Sequence, residues 1–323
     1  MEQSNYDRLI IDGNNFIFRA YHTKRPAVIA NGINTTPIHQ FLYMLKNVVS
    51  QFRPKEIVLT WDKKLNPNGT NFRKKMVAYK EQREESDATR EIYDYIDHIR
   101  PITDSLGITT ICPLNFEADD IIAFVSNMDE RRNIVVSSDK DLLQLVDNHV
   151  HVFLPNKNIV ITPENFEEEL GIAKNCFLLY KCILGDVSDN IKGLFKYGPI
   201  KAKKLAEDIV NKMGSRYIQS IIDSPLSSFN EEKFNLTSDQ LDIIQRNLII
   251  MKLNGNHEEL ILEYARYREQ YKDNAMQFDI DQFRVSCYTY NFINFIREMG
   301  TWRALFDNTS NNDKKDLLSC ISM

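Results

Sequence analysis

The sequence predicts an α/β protein built on a doubly wound, mostly parallel sheet, followed by a helical region. The first half contains short, nearly continuous apolar runs rich in β-branched residues, as is typical of buried parallel strands. Amphipathic helical patterns separate these runs, and such strand–helix–strand alternation favours a sheet covered by helices. From Pro163 onward the helical period dominates.

The elements can be placed along the chain. Strands are expected at Arg8–Asp12, Glu56–Asp62, Ile108–Cys112 and Asn133–Asp139, with further candidates at His149–Leu154 and Ile159–Thr162. Pro37 opens the first predicted helix, because proline is favoured in a first helical turn. Later helices are expected around 92–102 and 118–128, and then at 163–170, 174–184, 199–213, 238–252 and 279–298.

Composition excludes several classes of protein. The 323 residues are 43% hydrophobic and 11% aromatic, which excludes disorder over the whole chain. The formal net charge of −5 excludes a globally basic coat for nucleic acid but leaves room for a local basic surface. We expect no membrane span and no signal peptide, and the dispersed cysteines predict a reduced, cytoplasmic protein, in the host cytoplasm if the chain is phage-encoded.

Acidic residues follow the predicted strands. Asp12, Asp62 and Asp139 each stand at the carboxyl end of a strand, where open α/β sheets bind ligands. The other acids of interest, near helix or loop termini, are Glu117, Asp119, Asp120, Asp141, Asp186 and Asp189. Gathered without neutralisation they would repel one another, and an all-oxygen set favours Mg²⁺, with Mn²⁺ as a substitute. Two such ions about 3.5–4 Å apart would serve an in-line phosphoryl displacement, so phosphodiester hydrolysis is the predicted reaction.

Each acidic group has a structural alternative. Asp12 could end a strand in a turn, and the group at Glu117 could cap a helix. Asp139 and Asp141 could be loop acids, and Asp186 and Asp189 could form an Asx turn or a helix cap. The metal site is favoured because every group falls at a strand or helix terminus around one edge.

Two basic segments accompany the acids. Residues 63–83 hold seven basic residues and one glutamate, a net charge of +6, and their interleaved aromatic rings are typical of single-strand binding. Residues 191–204 hold five lysines, two glycines and no acid, which predicts a helix–turn–helix that grips duplex phosphates without reading sequence. A solvated helix face and a plain αα-hairpin are the respective alternatives.

Five spaced motifs carry a family resemblance. They are IIDGNNFIFRAY (10–21), LTWD (59–62), FEADDIIA (116–123), VSSDKDLLQLV (136–146) and KCILGDVSDNIKG (181–193), and QRNLIIMKL (245–253) resembles a further landmark. Together they resemble the 5′ nucleases: flap endonucleases, the 5′-nuclease domain of bacterial DNA polymerase, and phage flap endonucleases or ribonuclease H enzymes. The resemblance covers about residues 6–253. It implies a PIN-like nuclease domain over 1–170 with a helical arch at about 63–100, a helix–hairpin–helix-type (H3TH) duplex-binding region over 171–255, and a C-terminal helical extension over 256–323.

The resemblance also implies roles for single residues. Asp12, Asp62, Glu117 and Asp119 match the tighter of two Mg²⁺ sites, with Asp120 beside them, and Asp139, Asp141, Asp186 and Asp189 match the second. Lys80 matches a catalytic lysine that polarises the scissile phosphate. The expected DNA-binding residues, from the resemblance and the basic segments, are Arg19, Arg73, Tyr79, Lys80, Arg83, Lys181, Lys192, Lys196 and Lys201.

One motif departs from the family pattern. The hairpin usually reads G-x-x-G-h-G with a following lysine, and Gly193 and Gly198 fit it. Lys196 takes the place of the middle glycine, and Ile200 takes the place of the lysine. This departure argues against a monovalent-ion site in the hairpin and predicts weaker or differently shaped duplex binding.

The predicted function is a metal-dependent, structure-specific 5′ nuclease that acts as a monomer on DNA with a 5′ flap or nick and on RNA–DNA hybrids during primer removal. A replication protein, such as a single-strand-binding protein, is a candidate partner. Two alternatives stay open. A non-catalytic DNA-binding protein is disfavoured because all nine acids are retained, and a small-molecule phosphatase is disfavoured by the extended basic segments.

Overall fold

Ten strands are present in the part of the chain that the structure describes. The structure is a computed structural model that describes residues 6–62, 87–113, 116–214, 234, 236–253, 258, 260–262, 264–265 and 278–307. The strands are β1 (Arg8–Asp12), β2 (Ile29–Ala30), β3 (Ile33–Asn34), β4 (Glu56–Thr60), β5 (Thr109–Ile111), β6 (Asn133–Val136), β7 (Val150–Leu154), β8 (Ile159–Ile161), β9 (Gly185–Asp186) and β10 (Ile191–Lys192).

Six of these strands form the central sheet. Their order is β5-β4-β1-β6-β7-β8, and every neighbouring pair is parallel except β7 with β8. The predicted mostly parallel sheet is therefore confirmed. Short antiparallel pairs, β2 with β3 and β9 with β10, lie outside it.

Helices connect and cover the strands. They are α1 (Gly13–Tyr21), α2 (Thr36–Phe52), α3 (Asp87–Ser105), α4 (Ala118–Asn127), α5 (Phe166–Leu170), α6 (Lys174–Leu184), α7 (Pro199–Met213), α8 (Ser238–Met251), α9 (Ile280–Thr289), α10 (Ile293–Arg297) and α11 (Met299–Phe306). A 3₁₀ helix spans Asp141–Leu145. No helix among the described residues is long and apolar enough to cross a bilayer.

The sheet is covered on both faces because its strands bury both of their sides. In β1, Leu9 and Ile11 pack into one core with α1, α2, α3 and α9 to α11, whereas Ile10 packs into the other with α4 and α6 to α8. Consecutive side chains of a strand point to opposite faces, so one apolar strand supplies both cores. Of the predicted arch, residues 63–86 lie outside the described residues.

Helix α1 was not expected from the sequence. Asp12 caps it, since Oδ1 of Asp12 accepts a 3.0 Å hydrogen bond from the backbone N of Asn15. Phe16, Ile17 and Ala20 are buried against the sheet. This packing outweighs the poor helix propensity of the Gly13-Asn14-Asn15 start.

The predicted helix 279–298 is wrong as a single element. The chain leaves α9 at Thr289, and Asn291 adopts a left-handed backbone with φ of 59° before α10 begins. The helix predicted at 163–170 starts at Phe166, and three predicted strands end before Asp62, Cys112 and Asp139.

A buried ion network joins the amino ends of the strands, opposite the acids. Arg8 is fully buried, and its guanidinium lies 2.8 Å from Glu56 and 2.7 Å from Asp129. It also donates to Oδ1 of Asn133 at 3.1 Å. Burial works against the cation, but Glu56 and Asp129 raise the pKa of Arg8.

Candidate active site

Three acids converge at one edge of the sheet. Asp12 ends β1, Asp62 follows β4, and Asp139 follows β6, and these three strands are parallel neighbours. Their carboxyl ends therefore meet at the same edge, where ligands of open α/β sheets bind. The start of α4 reaches this edge too, because the backbone N of Ala118 donates a 2.7 Å hydrogen bond to Oδ1 of Asp62.

Polar residues that the sequence analysis missed hold these acids in place. The hydroxyl of Ser137 donates to Oδ2 of Asp12 at 2.8 Å and accepts from the backbone N of Asp139 at 3.0 Å. Oδ1 of Asn14 accepts from the backbone N of Asp62 at 2.7 Å. Their position in the sequence could have identified them, because Asn14 lies two residues after Asp12 and Ser137 lies two residues before Asp139.

Asp139 carries a perturbed carboxyl group. The residue keeps solvent contact, but protein atoms surround the carboxyl densely, and this desolvation raises its pKa to about 6. The charge of Asp141 adds to the rise, as does that of Asp12. The acids are thus close enough for their charges to interact unfavourably, which a bound cation would relieve.

Lys181 links the second group of acids. Its Nζ lies 2.8 Å from Oδ1 of Asp141 and 2.9 Å from Oδ2 of Asp186. Burial opposes the cation, but Asp141 and Asp186 raise the pKa of Lys181. Burial likewise opposes ionisation of Asp186, but hydrogen bonds from Ser188 and Lys181 lower its pKa. Asp189 follows in the turn that joins β9 to β10.

The acids at the start of α4 play a structural part as well. The carboxylate of Asp120 accepts a 3.2 Å hydrogen bond from the backbone N of Glu117, and the Glu117 side chain accepts from the backbone of Asp120. Asp120 is buried. This capping box matches the alternative in which the acids around Glu117 cap a helix. Glu117 and Asp119 are half-buried at the same helix start.

The chemistry of these residues fits a hard divalent ion. They offer carboxylate oxygens, the ligands that Mg²⁺ and Mn²⁺ prefer. Among the described residues, no three Asp, Glu, His or Cys side chains are grouped so that they could hold a metal ion as they stand. Binding would therefore require side chains to turn inward, and the ion pairs of Lys181 with Asp141 and Asp186 would have to give way.

Apart from Lys181, which pairs with Asp141 and Asp186, the expected DNA-binding residues divide into three sets. Arg73, Tyr79, Lys80 and Arg83 lie outside the described residues. Lys192, Lys196 and Lys201 are exposed around the turn before α7. On α1, Nη1 of Arg19 is buried without a hydrogen-bond partner in the described structure, and burial lowers the pKa of Arg19. An unsatisfied buried guanidinium nitrogen suits an anion.

The turn between α6 and α7 is more elaborate than the predicted helix–turn–helix. This connection contains the β9–β10 hairpin. A Cβ on Gly185 would strike the backbone at Ile191 and Gly193, and a Cβ on Gly193 would strike the backbone at the end of α6. Lys196 adopts φ of 63°, the left-handed region that favours glycine. This backbone explains why the family pattern has glycine there.

Sequence comparison places the first half of the chain in a known family. Residues 7–171 match the model of the 5'-3' exonuclease N-terminal resolvase-like domain. The chain is 32% identical over 209 residues to the 5'-3' exonuclease of Aquifex aeolicus, covering 64% of this chain and 69% of that protein. It is also 32% identical over 219 residues to DNA polymerase I of Lactococcus lactis, covering 63% of this chain but 24% of the polymerase. The chain thus spans about a quarter of the length of that polymerase.

Structural comparison agrees on the fold. A bacteriophage T5 flap endonuclease, solved as a pseudo-enzyme-product complex with DNA and metal ions, superposes with a TM-score of 0.59. The two chains are 17% identical, and the match covers 82% of this chain and 98% of the T5 protein. At this identity the likeness establishes the fold.

Proposed function

Because the chain belongs to the 5'-3' exonuclease family, we propose that it is a structure-specific 5′ nuclease that hydrolyses phosphodiester bonds near a 5′ end. The observation that carries this proposal is the convergence of Asp12, Asp62 and Asp139 on the carboxyl edge of three parallel neighbours. The proposed substrates are DNA with a 5′ flap or nick and RNA–DNA hybrids. The monomeric state and a replication partner are part of the same proposal.

Two divalent ions, with Mg²⁺ as the proposed species, would be held at this edge by the nine acids. Asp12, Asp62, Glu117 and Asp119 form the proposed first set, with Asp120 beside it, and Asp139, Asp141, Asp186 and Asp189 form the second. When bound, the ions would offset the negative charge that develops on the attacking and leaving oxygens of a phosphodiester. Ser137 and Asn14 fix the backbone and side chains around the first acids. Lys181 pairs with Asp141 and Asp186 in the described structure and would release them to the second ion. Lys80 is proposed to contact the scissile phosphate.

Cleavage of a 5′-labelled flap tests the proposal. The full chain is incubated with a 5′ flap, a matched 3′ flap and a blunt duplex, with Mg²⁺ or with EDTA. We expect Mg²⁺-dependent cutting near the junction of the 5′ flap and none of the 3′ flap. Tight binding without cutting would contradict the proposal and favour a non-catalytic DNA-binding protein. One observation favours the non-catalytic alternative: Lys181 already neutralises Asp141 and Asp186.

A further inference from the structure

The segment from the β9–β10 turn to the first turn of α7 presents apolar side chains to solvent instead of burying them. Val187, Phe195 and Ile200 are 92%, 82% and 86% exposed, more than any other large hydrophobic residue among those described. They fall within fourteen residues of one another. We call Phe195 and Ile200 the apolar tip; Val187 is left out of it because Asp186 and Asp189 flank it in sequence. Side chains that are so fully exposed protrude from the surface and cannot line a cavity.

The apolar tip stands on a rigid support. Leu194 is buried beneath it. The carbonyl of Lys192 accepts hydrogen bonds from Nη2 of Arg246 at 3.0 Å and from Nδ2 of Asn247 at 2.9 Å. Asn247 is itself fully buried and also donates to the carbonyl of Cys182 at 2.8 Å. A support of this kind holds the turn in one conformation, so little ordering is left to be done on binding.

The charge around the apolar tip points to a polyanion. Lys192, Lys196, Lys201 and Lys204 are exposed, and no acid lies among residues 190–204. The ammonium of Lys196 lies 5.2 Å from the centre of the Phe195 ring. Exposed lysines, which can contact phosphates, therefore lie on both sides of exposed apolar side chains, which cannot contact them favourably. Lys196 and Ile200 are the two positions at which this hairpin departs from the family pattern. One is a lysine beside the apolar tip, and the other belongs to the tip.

We propose that the apolar tip enters the minor groove of the duplex part of the substrate and makes this contact selective for deoxyribose over ribose. The proposal rests on the proposed function, which supplies duplex DNA as substrate. The minor groove of B-form DNA is about 6 Å wide, enough to admit single side chains. The minor groove of an RNA duplex instead displays 2′-hydroxyl groups. A hydroxyl buried against Phe195 or Ile200 would lose its hydrogen bonds to water without replacement. Both duplexes offer phosphates to the lysines, although A-form and B-form helices space them differently. The part of the preference that comes from the apolar tip is the part that replacing its side chains removes.

Binding of two matched substrates tests the inference. Both carry the same single-stranded DNA flap, and the duplex part is all DNA in one and all RNA in the other. Anisotropy in EDTA measures affinity without cleavage. We expect the wild type to bind the DNA duplex more tightly by at least about fivefold. The double variant Phe195→Ser, Ile200→Ser should lose this preference by weakening the DNA complex alone. Because both side chains are exposed, the variant is expected to melt at the wild-type temperature.

Two control variants separate the apolar contact from other effects. Lys201→Ala should weaken both complexes and keep the preference, and Val285→Ser, an exposed apolar site on α9, should change neither. A double variant that keeps the preference while the wild type cuts 5′ flaps would overturn this inference alone. A wild type that binds neither substrate would overturn the proposed function together with it. Equal affinity of the wild type for both duplexes would also overturn the inference.

Discussion

The hydroxyl of Ser137 donates a 2.8 Å hydrogen bond to Oδ2 of Asp12 and thereby joins the ends of β6 and β1. The same oxygen accepts from the backbone N of Asp139. Ser137 is fully buried, so water does not compete for these bonds. One hydroxyl thus fixes the relation between two acids that are proposed to serve different metal ions.

Replacement of Ser137 by alanine should slow cleavage without weakening DNA binding. Loss of the hydroxyl frees Asp12 to rotate, and loss of such a supporting contact costs about 10-fold in activity or metal affinity. Single-turnover cleavage of a 5′ flap measures the rate, and anisotropy measures binding. Ser137→Thr keeps a hydroxyl and should recover most of the rate. Full activity of Ser137→Ala would show that the hydrogen bond is only structural.

Asp139→Asn should abolish cleavage while DNA binding remains. The amide keeps the shape of the side chain but removes the charge, so we expect a loss of more than about 100-fold. Asp104→Asn is the matched control, because desolvation raises the pKa of Asp104 as it does that of Asp139, and Asp104 lies at the opposite edge near Thr110. The control should cut at the wild-type rate. Undiminished cleavage by Asp139→Asn in Mg²⁺ would remove the metal-site assignment.

Lys181→Met should make the fold depend on divalent ions. Its loss leaves Asp141 and Asp186 without the cation between them and should cost about 1–2 kcal/mol in metal-free buffer. Added Mg²⁺ should then raise the melting temperature of the variant more than that of the wild type. Calorimetric scans at pH 7 with EDTA or Mg²⁺ provide the comparison. An equal rise in both proteins would contradict the idea that Lys181 occupies the place of an ion between these two acids.

Arg8→Met should destabilise the protein strongly. The change removes a fully buried cation from Glu56 and Asp129, and removal of one member of a buried ion pair costs about 3–5 kcal/mol. Arg131 keeps its ion pairs with Glu56 at 3.0 Å and with Asp129 at 3.5 Å, so the loss should lie toward the lower end of this range. Urea denaturation measures the free energy of unfolding. Lys55→Ala, which breaks an exposed pair with Asp7, should cost less than about 1 kcal/mol. Similar losses in the two variants would contradict the role of the buried network.

His39→Phe should flatten the dependence of stability on pH between 7 and 5. Burial lowers the pKa of His39, and the charge of Arg25 adds to the effect. The unfolded chain therefore binds more protons below about pH 6.5, and wild-type stability falls as pH falls through this range. Urea denaturation at pH 5, 6, 7 and 8 gives the slope. Phe295→Leu keeps the imidazole but removes the ring that stacks on it at 4.5 Å, and so part of its burial; its slope should fall between those of the wild type and His39→Phe. An unchanged slope in His39→Phe would rule out this contribution.

The sheet and its acidic edge were predictable because they depend on simple periodicity. The strand that ends at Asp12 is apolar on both sides, and such a run has few alternatives to a buried parallel strand. If the strands are parallel, the residues that follow them must lie at the same carboxyl edge of the sheet. The order of β4, β1 and β6 as neighbours needed the structure, since spacing along the chain does not fix which strands pair.

Other features depended on tertiary contacts that a local pattern does not contain. Helix α1 forms from a glycine and two asparagines because Asp12 caps it and the sheet buries Phe16. The end of α9 is set by the left-handed backbone at Asn291. Lys181 was expected to contact phosphate, whereas the structure pairs it with Asp141 and Asp186 from two separate motifs. Only the fold brings those three side chains together.

The packing of α9 to α11 matters to anyone who shortens this chain. These helices contact α2 and α3, and Trp302 and Phe306 stack on each other fully out of water. A version trimmed at residue 255 would retain all nine acids of the proposed metal site but expose the apolar flank that these helices now shield. Such a fragment should precipitate, and its inactivity would say nothing about catalysis. Dissection of the enzyme should therefore treat residues 278–307 as part of the scaffold.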